Sequence, residues 1–141
     1  MCNNETGCNC ICETLKVILA LQQNSCPESC LETCDRPMLG CGANSLSCNT
    51  RPVMLYTCSS GSTPISMPTT KDVSSDPTTE VVNSQVFRVE KIEGNCATFR
   101  VLSDNTTDAT YPYVGTNSFF TMNLNCCCMI RCLSDTYVEC V

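Results

Sequence analysis

The residues able to do chemistry in this 141-residue chain are cysteines, sixteen of them, with no histidine to work beside them. Three stand in a row as Cys126-Cys127-Cys128. Three alternate as Cys8-Asn9-Cys10-Ile11-Cys12, and Cys26, Cys30 and Cys34 recur at i, i+4 and i+8. Thiols at such spacings can form disulfides, hold soft metal ions or act as nucleophiles, and each use leaves its own pattern. Structural zinc favours C-x2-C knuckles, in which a tight turn converges two ligands on one ion, and the chain contains no C-x2-C. The same absence removes the common dithiol redox motif. Lack of histidine removes the Cys-His and Ser-His pairings, so no enzyme activity, catalytic residue or cofactor is expected. A cysteine-thiolate metal module stays open as the alternative, because the C-x-C run and the triplet resemble metal-thiolate clusters. Such clusters belong to short chains nearly devoid of aromatics, and no metal ligand is assigned.

Disulfides are the remaining use. Cysteine exceeds a tenth of the chain, a level typical of small disulfide scaffolds. A domain of this length buries roughly two thirds of its surface without staples, so many of the thiols are surplus to folding. The chain starts Met1-Cys2-Asn3-Asn4 with no export signal, which predicts synthesis in a reducing cytosol and oxidation later or elsewhere. With a net charge of −6 and no basic cluster, the surface repels phosphates, and nucleic acid is excluded as a partner. The longest apolar stretch, Val17 to Leu21, is too short to span a bilayer, so no membrane partner is expected either.

The elements that must position these thiols follow from periodicity. Ile11, Leu15, Ile18 and Leu19 recur at helical spacing up to Gln23, with Asn9 placed to cap the start. A second, shorter helix is predicted from the capping box Ser25-Cys26-Pro27-Glu28, ending before Pro37. Residues 37–50 read as loop and Val53 to Cys58 as the first strand. Residues 59–80 and 104–117 are polar and read as mobile surface loops. Between them, Phe87 and Val89 alternate with Arg88 and Glu90, and Ala97, Phe99 and Val101 with Thr98 and Arg100, across Glu93-Gly94-Asn95. Keeping apolar residues on one face demands an odd loop. Three residues would pair Val89 with Phe99; five would pair Phe87 with Phe99 and keep Arg88 from facing Arg100. Beyond 117, alternation puts Phe120, Met122, Leu124, Cys126, Cys128 and Ile130 on a core face. Thr121, Asn123, Asn125, Cys127 and Arg131 fall on the polar face, with a bend or bulge expected in the triplet. The predicted class is α+β, disulfide-rich: N-terminal helices followed by a mainly antiparallel sheet or sandwich. Its organisation is a flexible cysteine-rich arm, residues 1–10, and a single domain, residues 11–141.

These placements sort the thiols. Cys2, Cys8, Cys10, Cys12 and Cys140 lie near chain ends, where a mobile thiol reaches neighbouring molecules, and Cys127 points to the polar side. These six are the candidates for bonds between subunits. Cys26, Cys30 and Cys34 form one stripe along a helix, poorly aimed at one another for the strict geometry of a disulfide. Together with Cys126, Cys128 and Cys132 they are the candidates for core packing as small apolar residues or for internal bridges.

Four blocks carry a resemblance. They are Asn49-Thr50-Arg51-Pro52-Val53-Met54-Leu55-Tyr56-Thr57, Val86-Phe87-Arg88-Val89-Glu90, Cys96-Ala97-Thr98-Phe99-Arg100-Val101-Leu102, and Asn125-Cys126-Cys127-Cys128-Met129-Ile130-Arg131-Cys132-Leu133. In this order they closely resemble the spore coat protein Y/Z family, which includes cysteine-rich exosporium proteins of spore-forming bacilli. The resemblance covers most of residues 11–135. It departs at Cys127, where a bulky apolar residue such as Phe is expected, in the lack of histidine near the N-terminus, and in the two polar loops. It implies a structural protein of the outer spore layers, coat or exosporium, that self-assembles into a two-dimensional lattice of hexameric units cross-linked by intermolecular disulfides. Its implied partners are further copies of itself and other coat or exosporium proteins. It also implies a history that resolves the redox puzzle: synthesis in the reducing mother cell, assembly around the forespore, and oxidation as that cell lyses.

Overall fold

The computed structural model describes residues 9–23, 48–59, 61–73, 78, 80–107, 110–139 and 141. The apolar stripe near the N-terminus forms helix α1, Cys10–Gln23, which buries Ile11, Cys12, Leu15, Ile18 and Gln22. Asn9 caps it as expected. Its Oδ1 accepts from the Cys12 amide at 2.9 Å, which satisfies one of the donors every helix start leaves open, and its carbonyl accepts the first helical bond from the Glu13 amide at 3.0 Å. α1 is the single α-helix among the described residues; the second predicted helix, with Cys26, Cys30 and Cys34, lies outside them.

Seven strands follow among the described residues: β1 (Val53–Thr57), β2 (Met67–Pro68), β3 (Asn83–Ser84), β4 (Phe87–Glu93), β5 (Cys96–Asp104), β6 (Tyr113–Asn123) and β7 (Cys127–Cys132). Five make one antiparallel sheet in the order β6-β5-β4-β1-β7, and β2 pairs with β3 in a separate ribbon. The α+β class holds as one helix against a mainly antiparallel sheet. Two segments read as loops are partly strand: β2 falls within residues 59–80, and β6 begins at Tyr113, inside residues 104–117. Ser118, buried where the β5–β6 register shifts, donates to the Pro68 carbonyl at 2.8 Å and so holds the ribbon to the sheet.

The β4–β5 hairpin corrects the odd-loop expectation. Glu93 pairs with Cys96, leaving a two-residue turn, Gly94-Asn95, with Gly94 at φ +58°, where a side chain would be strained. Parity is restored further along, because the register shifts between Val89 and Lys91 and Glu90 becomes an extra residue. Val89 therefore opposes Phe99, and Arg88 does face Arg100. The like-charge cost of that pair is removed by the extra residue itself. Oε1 of Glu90 accepts from Arg88 Nη1 and from Arg100 Nε, both at 2.8 Å. The remaining guanidinium donors reach Thr50 Oγ1, the Asn49 carbonyl and the Thr116 carbonyl, and Arg100 lies 4.5 Å above the Phe119 ring.

The core lies between α1 and the inner sheet face. Phe120 packs edge-on to Phe87 at 4.8 Å and stacked on Phe99 at 5.3 Å, with Val53, Leu55, Val89 and Val101 around them. β1 and β4 share the single residue pair Val53–Phe87 and then diverge. At the next ladder position the buried side chain of Gln22 spans the gap. Its Nε2 donates to the Val89 carbonyl at 2.8 Å and its Oε1 accepts from the Arg51 amide at 3.1 Å. One amide thus satisfies the two backbone groups that the splayed strands would leave unpaired.

Candidate functional site

Most of the described cysteines gather where the sheet's two edges meet. β6 ends at Asn123 on one edge and β7 starts at Cys127 on the other, joined by a 3-10 turn, Leu124–Cys126. Asn123 Oδ1 accepts from the Asn125 amide at 3.0 Å, which sets the turn, and Leu124 takes its buried position. The Leu124 amide donates to the Asn95 carbonyl at 2.8 Å, and Asn9 Nδ2 donates to the Leu124 carbonyl at 3.0 Å. Cys12 Sγ sits 3.5 Å from the Gly94 carbonyl oxygen. The hairpin tip, the helix start and the 3-10 turn are therefore bound together, and Cys10, Cys12, Cys58, Cys96, Cys126, Cys127 and Cys128 share this one pole. Cys132, opposite Val53 at the far end of β7, and Cys48, next to Asn49, lie away from it.

Sulfur occurs here in three states. Cys58 and Cys128 form a disulfide with Cα atoms 5.1 Å apart and 70 residues between them in sequence; both are exposed. Cys10 and Cys12 are each in a disulfide as well. Cys48, Cys96, Cys126 and Cys132 are exposed free thiols, and Cys127 is a buried one. Cys127 lies near the Met129 carbonyl oxygen at 3.4 Å, and burial pushes its thiol pKa up although backbone contacts at Tyr56 and Met129 oppose the shift. A buried thiol held protonated is a poor nucleophile.

Several expectations change. Cys127 was expected on the polar face and is 4% exposed, whereas Cys126 and Cys128 are exposed. Two breaks shift the alternation. The 3-10 turn swings Cys126 outward, and the β1–β7 register skips Cys128, so that Thr57 opposes Cys127 and Tyr56 opposes Met129. Cys128 is thus the unpaired residue of a bulge, in the triplet where a bend or bulge was expected. Cys10, placed in the flexible arm, and Cys12, placed just after it near the chain end, were both candidates for bonds between subunits. Cys10 instead opens α1, and Cys12, fully buried, belongs to its core stripe. Cys126 and Cys132, assigned to core or internal bridges, are exposed and free because one rides the 3-10 turn and the other ends an edge strand. Cys128 does form an internal bridge. Its partner Cys58, and the exposed thiols Cys48 and Cys96, belonged to neither set. The position of Cys58, directly after the β1 run, was the available signal. Cys2, Cys8, Cys26, Cys30, Cys34 and Cys140 lie outside the described residues.

Beside Cys132, Arg51 makes a two-pronged ion pair with Asp135 at 2.6 and 2.8 Å, fastening the segment after β7 to the start of β1. Hydrogen bonding to Arg51 lowers the pKa of Asp135, and the same bond raises that of Arg51, with a further small contribution from Cys132. Among the described residues no three Cys, Asp or Glu side chains are grouped to hold a metal ion, and no helix is long and apolar enough to cross a membrane.

Fold and site together define a disulfide-braced structural domain: a closed apolar core, a Cys58–Cys128 bridge across its cysteine pole with Cys10 and Cys12 in further disulfides, and free thiols displayed outward. A family model described as spore coat protein Z matches residues 1–135, and the chain belongs to that family of structural proteins of the spore surface layers. No curated protein and no solved structure matches it.

Proposed function

We propose that the protein is a building block of the outer spore layers, coat or exosporium, that self-assembles into a two-dimensional lattice and is then locked by disulfides between subunits. The observation that carries this reading is the coexistence, on one folded domain, of the internal Cys58–Cys128 bond with four exposed free thiols, Cys48, Cys96, Cys126 and Cys132. Folding does not consume these thiols, and they face outward, Cys96 and Cys126 at the pole and Cys48 and Cys132 away from it, so each can bond to a neighbour. Cys2, Cys8 and Cys140 join them as candidate links. Partners are further copies of the chain and other coat or exosporium proteins.

The test is to purify the protein under reduction, then remove the reductant in air and examine it by electron microscopy and non-reducing gels. Ordered sheets and a ladder of oligomers that collapses on re-reduction are expected. A protein that stays monomeric in air overturns the reading. So does one that co-purifies with stoichiometric metal and unfolds with chelator, which would establish the metal-thiolate alternative.

A further inference from the structure

The sheet has two outer edges, and they are unlike. The free side of β6 is partly covered, since Val114 bridges in parallel to Glu139 and the Gly115 amide donates to the Glu139 carbonyl at 3.0 Å. β6 carries no cysteine. β7 pairs with β1 on one side, and no strand among the described residues pairs with the other. Natural edges are usually blunted by lysine, proline or a bulge along their length. β7 reads Cys-Cys-Met-Ile-Arg-Cys, with no lysine or proline, one charge at Arg131, and a bulge confined to its start at Cys128.

Backbone polarity shows which residues are available. The Leu133 amide donates to the Pro52 carbonyl at 2.8 Å. Antiparallel ladders alternate, so Arg131 and Met129 also turn their amide and carbonyl groups towards β1, while Cys132 and Ile130 turn theirs outward. A second β7 strand related by a two-fold axis can satisfy these groups. With Ile130 opposite Ile130 of the partner subunit, Arg131 faces Met129 of the partner subunit. The next register, centred on Arg131, would oppose two arginines. The favoured register also sets Cys128 opposite Cys132 of the partner subunit, and the reverse. Directly opposed residues on neighbouring strands fall within the Cα separation a disulfide tolerates.

We infer that the free edge of β7 docks a second copy of this chain, strand against antiparallel strand, and that Cys132 of each copy captures Cys128 of the other by thiol–disulfide exchange. The inference rests on the proposed intersubunit cross-linking and names its first bond. The thiolate of Cys132 of the partner subunit attacks Sγ of Cys128. The Cys128 to Cys132 bond forms between copies as the Cys58–Cys128 bond breaks, and Cys58 leaves as thiolate and takes up the proton that Cys132 released. Thiols and disulfides stay equal in number, so the link needs no oxidant. Exposure of both Cys58 and Cys128 leaves the bond open to attack, and Cys128, outside the β1 ladder, can move without breaking ladder hydrogen bonds. Buried Cys127 does not compete for it.

The test uses the full chain carrying its native internal bond, with unlabelled and nitrogen-15-labelled protein mixed under argon. Expected are covalent dimers whose Cys128–Cys132 peptide joins light to heavy chains, an unchanged thiol titre, and Cys58 newly open to alkylation. Cys132→Ser, checked for an unaltered melting curve, should lose these dimers, whereas Cys96→Ser should keep them. Three results overturn the inference: dimers under argon in Cys132→Ser, loss of two thiols per link, or Cys58 remaining unreactive as dimers accumulate. If linking occurs only in air and through other cysteines, this inference falls while the proposed function stands. If no linking occurs under argon or in air, both fall.

Discussion

The wall of the sheet around Arg88, Glu90 and Arg100 and the pole around the 3-10 turn meet different needs in different ways. In the wall the charged groups are held within the chain: one carboxylate bridges two guanidiniums, and three phenylalanines fill the space beneath. The pole is held by short backbone and asparagine contacts, and its sulfur is divided between bonded, buried and displayed states. The difference teaches that the charges and rings that hold the fold and the thiols proposed for cross-linking occupy separate parts of one small domain. On that division, the proposed exchange of thiol partners would leave the apolar core and the charged wall in place.

That separation can be broken or sharpened, and the largest effect is expected in the wall. Phe99→Ala leaves a cavity beneath two other rings and should cost about 3–5 kcal/mol in denaturant unfolding. Glu90→Ala leaves two half-buried arginines opposed and should cost about 2–3 kcal/mol, with most of the loss recovered on also replacing Arg88. At the boundary between the regions, Asn9→Ala removes the helix cap and the tie to Leu124, for about 1 kcal/mol. The Arg51–Asp135 pair is partly exposed and should contribute below about 1 kcal/mol. Because the Asp135 pKa is lowered in the folded protein, that contribution is present above the ordinary carboxylate range and is lost as pH falls through the lowered value. An acid titration of stability that is flat in Asp135→Asn relative to the parent, in low salt, would show it. At the pole, Cys96→Ser with Cys126→Ser should shift stability by no more than about 0.5 kcal/mol while thinning the ladder of air-oxidised oligomers. A loss above about 1 kcal/mol there would mean that displayed thiols also hold the fold, and the separation would be wrong.

What the sequence made legible was whatever repeats. The α1 stripe, its Asn9 cap, the hairpin position and the polar face of Arg131 all follow from periods of 3.6 or 2. Errors arose where one residue is added to a period. Counting only turn residues hid the extra Glu90, which itself makes an even turn compatible with apolar pairing. A bulge was expected in the triplet, but alternation carried through Asn123-Leu124-Asn125 hid the 3-10 turn ahead of it, and so Cys127 was assigned to the wrong face. The asparagines flanking Leu124 were the available hint, since such side chains close turns on their own backbone. Gln22 extends the Ile11, Leu15, Ile18 stripe by one further turn, and a polar residue on that stripe marked a buried amide with backbone to satisfy.

The short 3-10 turn also decides how the domain carries load. β6 and β7 bound opposite edges of the five-stranded sheet, yet Leu124, Asn125 and Cys126 alone join them. Tension delivered at β7 reaches β6 along covalent backbone, without shearing the four hydrogen-bonded ladders that lie between the two edges in the sheet. In the proposed lattice, each domain pulled from edge to edge would pass part of the load through main-chain bonds and not through hydrogen bonds alone.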